Sequence, residues 1–190
     1  MESFVETIYL EELQTQCDWA LAATNGLNQC LSASGPDSTA HFFRFAAAML
    51  QHAGLASKLL WPPGSRLGYK NKRAKVRAQY LRQVLNIDDT HELKNRSLRD
   101  HFEHYDERLD DWLANSPNRI FVNNVIGPRS IIGGNAIQDH EIIKLFNPET
   151  KELVFRGSPY NVQQIVNAVQ DIRARTISRL QELERARFGR

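Results

Sequence analysis

At 190 residues, with 42% hydrophobic and 24% charged side chains, the chain has the ordinary globular mixture and enough length to bury an apolar core, which excludes the high-charge composition of disordered chains. A formal net charge of only +2 excludes a surface that is basic throughout, so any affinity for nucleic acid must come from a local patch. No stretch approaches the roughly 20 apolar residues that cross a bilayer, and nothing at the N-terminus joins a basic region to an apolar run, so the cytoplasm is the expected location.

The first predicted element is a helix over about residues 4–31, on which Phe4, Ile8, Leu13, Cys17, Ala20, Leu21, Leu27 and Leu31 recur at helical spacing. Its two cysteines, Cys17 and Cys30, stand too far apart along one helix to pair, and both read as buried thiols of a reducing compartment. Gly35-Pro36 ends this helix, and Asp37 to Thr39 supplies caps for a second that runs to Leu60, where Trp61-Pro62-Pro63-Gly64 stops it. The second helix is apolar on most of its faces, the pattern of a helix at the centre of a bundle.

From Arg66 to Arg82 there are seven basic residues and no acidic one. Val76, Tyr80, Val84 and Leu85 give the later part of this run an apolar stripe, which predicts a third helix over about 72–86 with a basic outer face. Lys70, Lys72, Arg73, Lys75 and Arg77 are the candidate phosphate contacts, with Tyr69 and Tyr80 available to stack on bases. The plainer meaning of such a run is a solvated helix face. A fourth helix spans about 97–113, with Leu98, Phe102, Tyr105, Leu109 and Trp112 on one side.

After Asn115 the pattern turns β-favouring: Ile120-Phe121-Val122 and Val125-Ile126 precede glycine breaks. Residues 140–146 and 151–156 read as a hairpin joined by Asn147-Pro148-Glu149-Thr150. Ser158 then caps, and Pro159 opens, a final helix to about residue 186. Trp19, Trp61 and Trp112 are expected as core or interface anchors. The expected fold is mainly α: one domain over 1–190, with a bundle of four to five helices whose first part spans 1–115, a small β-hairpin or sheet at 118–157, and a C-terminal helix at 158–187.

No phosphate-binding glycine loop, paired-cysteine metal motif, HExxH motif or glycine-flanked nucleophilic serine is present. In Leu98-Arg99-Asp100-His101-Phe102-Glu103-His104-Tyr105, an arginine is followed by a polar residue and, after four intervening positions, by a histidine. This segment resembles the Arg-x4–6-His motif of HEPN domains, which are small helical bundles, and the resemblance covers about residues 1–115. Arg96 and His101 share the spacing, but the acidic Asp100 directly after Arg99 matches the family's preference for Asn, Asp or His there.

The resemblance implies an RNA-binding domain or a metal-independent endoribonuclease, without cofactor, that acts as a homodimer and pairs with an antitoxin-type protein partner in a toxin-antitoxin system. It assigns Arg99, His104 and Asp100 as catalytic. Histidine titrates near neutrality and can move the 2′-hydroxyl or leaving-group proton, while a planar guanidinium grips phosphate oxygens with two parallel hydrogen bonds. Residues five apart on a straight helix point about 140° from each other, so a two-fold pair of chains is needed to gather two such sets in one cleft.

Without that chemistry, Arg99 pairs with Glu103 across one turn and His101 and His104 belong to a polar flank. A metal reading of those histidines lacks a third ligand at suitable spacing. The alternative for the whole chain is a non-catalytic helical scaffold whose hairpin and last helix recruit another protein or a second copy.

Overall fold

The computed structural model describes residues 3–33, 35, 37–64, 68–95, 105–116 and 118–188. Among them are five α-helices and one four-stranded sheet placed before the last helix, so the fold is mainly α with an inserted sheet, as the residue pattern predicts. The helices are α1 (Ser3–Ser32), α2 (Ser38–Leu60), α3 (Gly68–Val84), α4 (Tyr105–Asn115) and α5 (Val162–Phe188). The strands are β1 (Val125–Ile126), β2 (Lys144–Asn147), β3 (Glu152–Phe155) and β4 (Ser158–Asn161). The residues form two compact units, one of Met1–Thr24, Ala48–Asn95 and Ile165–Arg190, the other of Asn25–Ala47 and Arg96–Gln164.

The first unit is helical. Leu10, Leu13, Cys17 and Ala20 of α1 pack with Ala53, Ala56 and Leu60 of α2, with Leu81 of α3 and Leu85 just after it, and with Ala168, Val169 and Ile172 of α5. Alanines at the crossings let the helices approach closely, and each buried leucine or isoleucine contributes roughly 1.5–3 kcal/mol of transfer free energy. Burial pushes the Cys17 thiol up to about 12, with Asp18 adding to the shift, whereas Cys30 is only half-buried. Trp61 joins this core, but Trp19 leaves 52% of its surface open and meets the His52 ring edge-on.

The expected stripe on α1 is right at its centre and wrong at its start. Phe4 and Ile8 are exposed, and Glu6 takes a place on the buried face instead. α3 begins four residues before the expected position 72 and stops at Val84 rather than 86. Its end is set by Asn86 in the left-handed region (φ 50°), where the Asn86 N–H donates to the Gln83 carbonyl (3.2 Å) and the Ile87 N–H to that of Arg82 (2.8 Å). This is a Schellman closure, for which asparagine is a workable substitute for glycine.

The second unit holds the sheet, in the order β1-β2-β3-β4, with β1 parallel to β2 and the other pairs antiparallel. Ile142, Ile143, Leu145, Leu153 and Phe155 are buried, and Phe146 lies 4.7 Å from Phe42 of α2. Gly26 of α1 faces the Phe45 ring so closely that a Cβ would stand 2.7 Å from it. Half-buried Trp112 of α4 donates its indole N–H to the Ile120 carbonyl (3.1 Å). Arg129 closes the loop ahead of β2, donating to the Gly134 and Ile137 carbonyls and pairing with Asp139. Glu141, fully buried, accepts from the Gln138 N–H (2.8 Å) and from the Asn118 amide (3.4 Å).

Two expectations change here. The first hairpin strand is shorter than residues 140–146, because Asp139–Glu141 forms a 3₁₀ turn, and its pairing with β3 starts at Lys144, after a single parallel bridge from Ile142 to Val122. Ser158-Pro159 does not start the last helix: it belongs to β4, which pairs with β3 through Val154 opposite Pro159. Arg156 (φ 47°) and Gly157 (φ 77°) both lie in the left-handed region, as a two-residue type I′ hairpin requires, and Pro159 sits on an edge strand, where a missing N–H is tolerated. The helix starts at Val162, with Asn161 Oδ1 accepting from the Gln164 N–H (3.0 Å) as its N-cap. The predicted helix at 97–113 is seen from Tyr105 on, and its earlier part lies outside the described residues.

Gly157 is doubly constrained, by its φ and by Asp139, whose Cβ would lie 2.6 Å from an added methyl group. Gly157→Ala is expected to lower stability by about 2 kcal/mol, from left-handed backbone strain plus the clash. Urea unfolding checks this, and an unchanged midpoint would contradict the turn assignment.

Candidate nucleic-acid interface

The basic run divides by helical phase. Ala74, Ala78 and Leu81 point into the first unit's core, which turns Lys72, Arg73, Lys75, Val76 and Gln79 outward, together with Tyr69 one turn earlier. Lys72, Arg73 and Lys75 are exposed and make no hydrogen bond or ion pair among the described residues. Lys70 lies in the first turn of the same helix. The outward surface therefore combines three solvated cations with an exposed tyrosine ring and an exposed valine.

Arg77, grouped with them by its place in the run, has a different task. Its Nη2 donates to the Lys58 and Leu59 carbonyls (3.3 and 3.4 Å), and its guanidinium lies over the Tyr9 ring, 5.2 Å from the centroid. Arg82 donates to the Leu60 carbonyl and lies 3.6 Å from Asp89. These carbonyls end α2, where no further turn supplies donors, and cations suit the negative end of a helix dipole. The two arginines thus tie α3 to the end of α2, while Lys72, Arg73 and Lys75 stay in solvent.

Tyr80 is also committed. Its hydroxyl donates to Glu6 Oε2 (2.6 Å), and the other oxygen of this buried carboxylate accepts from Arg179 Nε (2.8 Å). The bond to Glu6 raises the phenol above its ordinary value, with desolvation adding to it. Of the two tyrosines proposed for stacking, Tyr69 is the exposed one. The role of Glu6 had a visible sign: it falls in helical phase with Leu10, Leu13 and Cys17.

Arg99, Asp100 and His104 lie outside the described residues, as does His101. Among the described residues no group of three or more His, Cys, Asp or Glu side chains is placed to hold a metal ion, and no helix is long and apolar enough to cross a membrane. Compared with known proteins, the chain matches no family model, no curated protein and no solved structure.

The raised Tyr80 value has a defined pH consequence. Because the folded state holds the phenolic proton more tightly than the unfolded chain, its contribution is complete below the unfolded value near 10.0 and is lost as pH rises through the folded one. Thermal unfolding should therefore show a steeper fall in midpoint above that pH for the native chain than for Tyr80→Phe. Equal slopes would contradict the assignment.

Proposed function

We propose that this chain is a HEPN-like RNA-binding protein that works as a homodimer and cuts RNA without metal, with α3 guiding the phosphate backbone. The observation that carries the RNA part is the outward face of α3, where Lys72, Arg73 and Lys75 stand exposed and uncommitted beside the exposed Tyr69 ring. Cations spaced along one helix face can follow successive phosphates, and an aromatic face accepts a base without regard to sequence. The cleavage part rests on the resemblance of the Leu98–Tyr105 segment, which makes His104 the proton-transfer group, Arg99 the phosphate clamp and Asp100 their support. Release and capture of a 2′-hydroxyl proton by an imidazole needs no bound metal.

The joint substitution Lys72→Glu, Arg73→Glu and Lys75→Glu tests the binding surface. Each phosphate contact on a single strand adds about 0.7 to the slope of log affinity against log salt, so losing three should reduce that slope by about two. Nitrocellulose retention of single-stranded RNA over a salt series reads this, and an unaltered slope removes α3 as the guide. For cleavage, His104→Ala should abolish RNA cutting in chelator while leaving the circular dichroism spectrum unchanged. A wild-type protein that neither retains nor cuts RNA would favour the scaffold reading, in which the chain serves only to bring proteins together.

A further inference from the structure

In the first unit, α1 and α2 share a chain of polar side chains that ends at the surface. Gln16, only 5% exposed, donates from its amide nitrogen to Glu12 Oε1 (2.7 Å) and sets its carbonyl oxygen 2.9 Å from His52 Nδ1. A carboxylate only accepts, so the amide must turn its nitrogen to Glu12 and its oxygen to His52. Nδ1 of His52 therefore carries the hydrogen, and in the neutral ring Nε2 is left as an acceptor. That Nε2 has no partner among the described residues and is not sealed from solvent.

An indole stands beside it. Trp19, about one turn beyond Gln16, is 52% exposed, and its ring centroid lies 5.1 Å from that of His52. Glu12 is exposed too, and its Oε2 has no partner among the described residues. An open aromatic face is thus flanked by two unused acceptors, one on an imidazole and one on a carboxylate.

The charge around these groups has one sign. No Lys or Arg precedes Arg44 in the chain, so α1 carries Glu6, Glu11, Glu12 and Asp18 and no cation. Glu6 and Asp18 are answered by Arg179 and Arg173, which leaves Glu11 and Glu12. On the part of α2 that belongs to this unit the cation is Lys58, about 9 Å along the axis from His52. A phosphate is repelled by such a surface, and a hydrocarbon guest leaves Nε2 unpaired. A lysine ammonium suits Glu12 but has no flat face to lay on the indole. A guanidinium meets every feature: it is planar and charged, it stacks on tryptophan, and its forked N–H groups donate to two acceptors at once.

We propose that Trp19, His52 and Glu12 together receive an arginine side chain of a partner protein. This surface lies on different helices from the basic face of α3 and takes a guest of opposite charge.

Tryptophan emission tests it, because Trp19 is the open indole while Trp61 is buried and Trp112 half-buried. The probe is the capped tripeptide Gly-Arg-Gly, titrated beside its lysine and citrulline counterparts; citrulline keeps the planar shape and loses the charge. The arginine peptide should change the emission and bind at least about fivefold more tightly than either, from the cation–π contact and the charge-assisted hydrogen bonds together. Glu12→Gln should reduce the preference over citrulline to about twofold, with circular dichroism unchanged because the position is exposed. No response to the arginine peptide, equal binding of lysine or citrulline, or a response that survives Trp19→Phe would each overturn the proposal. A single-stranded oligoadenylate that quenches Trp19 more strongly than the arginine peptide would overturn it as well, and assign this face to RNA.

Discussion

The end of α2 sets the constraint on which the candidate interface depends. A helix leaves its last carbonyls without intrahelical donors, and Trp61-Pro62-Pro63 prevents another turn from supplying them. Arg77 and Arg82 fill that need, reaching back from α3 to the Lys58, Leu59 and Leu60 carbonyls. Once their guanidiniums are held there, the rotation of α3 about its axis is settled. The same rotation that buries Ala74, Ala78 and Leu81 sends Lys72, Arg73 and Lys75 into solvent. A basic run of one composition is therefore divided by the fold, some of its charges tying two helices together and others left in solvent.

A second polar device holds the helices of that unit together. Glu6 is a charged residue on the buried face of α1, and it is tolerated because Tyr80 of α3 and Arg179 of α5 both bond to it. Removing a carboxylate from water costs several kcal/mol unless its oxygens find donors, so the three side chains belong together. The arrangement joins three helices distant in sequence, and it orients α5 antiparallel to α1. That orientation sets the start of α1 beside the end of α5, with an open groove between them.

The sheet solves a different problem with local means. Arg156 and Gly157 accept the left-handed conformations of a tight hairpin, and the strand that follows can carry Pro159 because it is an edge. Proline there also makes that edge a poor template for a further strand.

Helix periodicity, caps and breakers by themselves determined the mainly helical class, the ends of α1 and α2 to within a residue, and the presence of a small sheet before the last helix. Those features follow from local rules: apolar spacing, glycine and proline positions, and β-branched runs. Local rules also misled where two of them competed, as at Ser158-Pro159, which suits a helix start and an edge strand equally until pairing with β3 decides. The division of labour within the basic run, the burial of Glu6 and the exposure of Phe4 and Ile8 were decided only by tertiary structure. Each depends on which groups from remote parts of the chain stand opposite, because a charge is buried or bare according to the partners that folding brings to it.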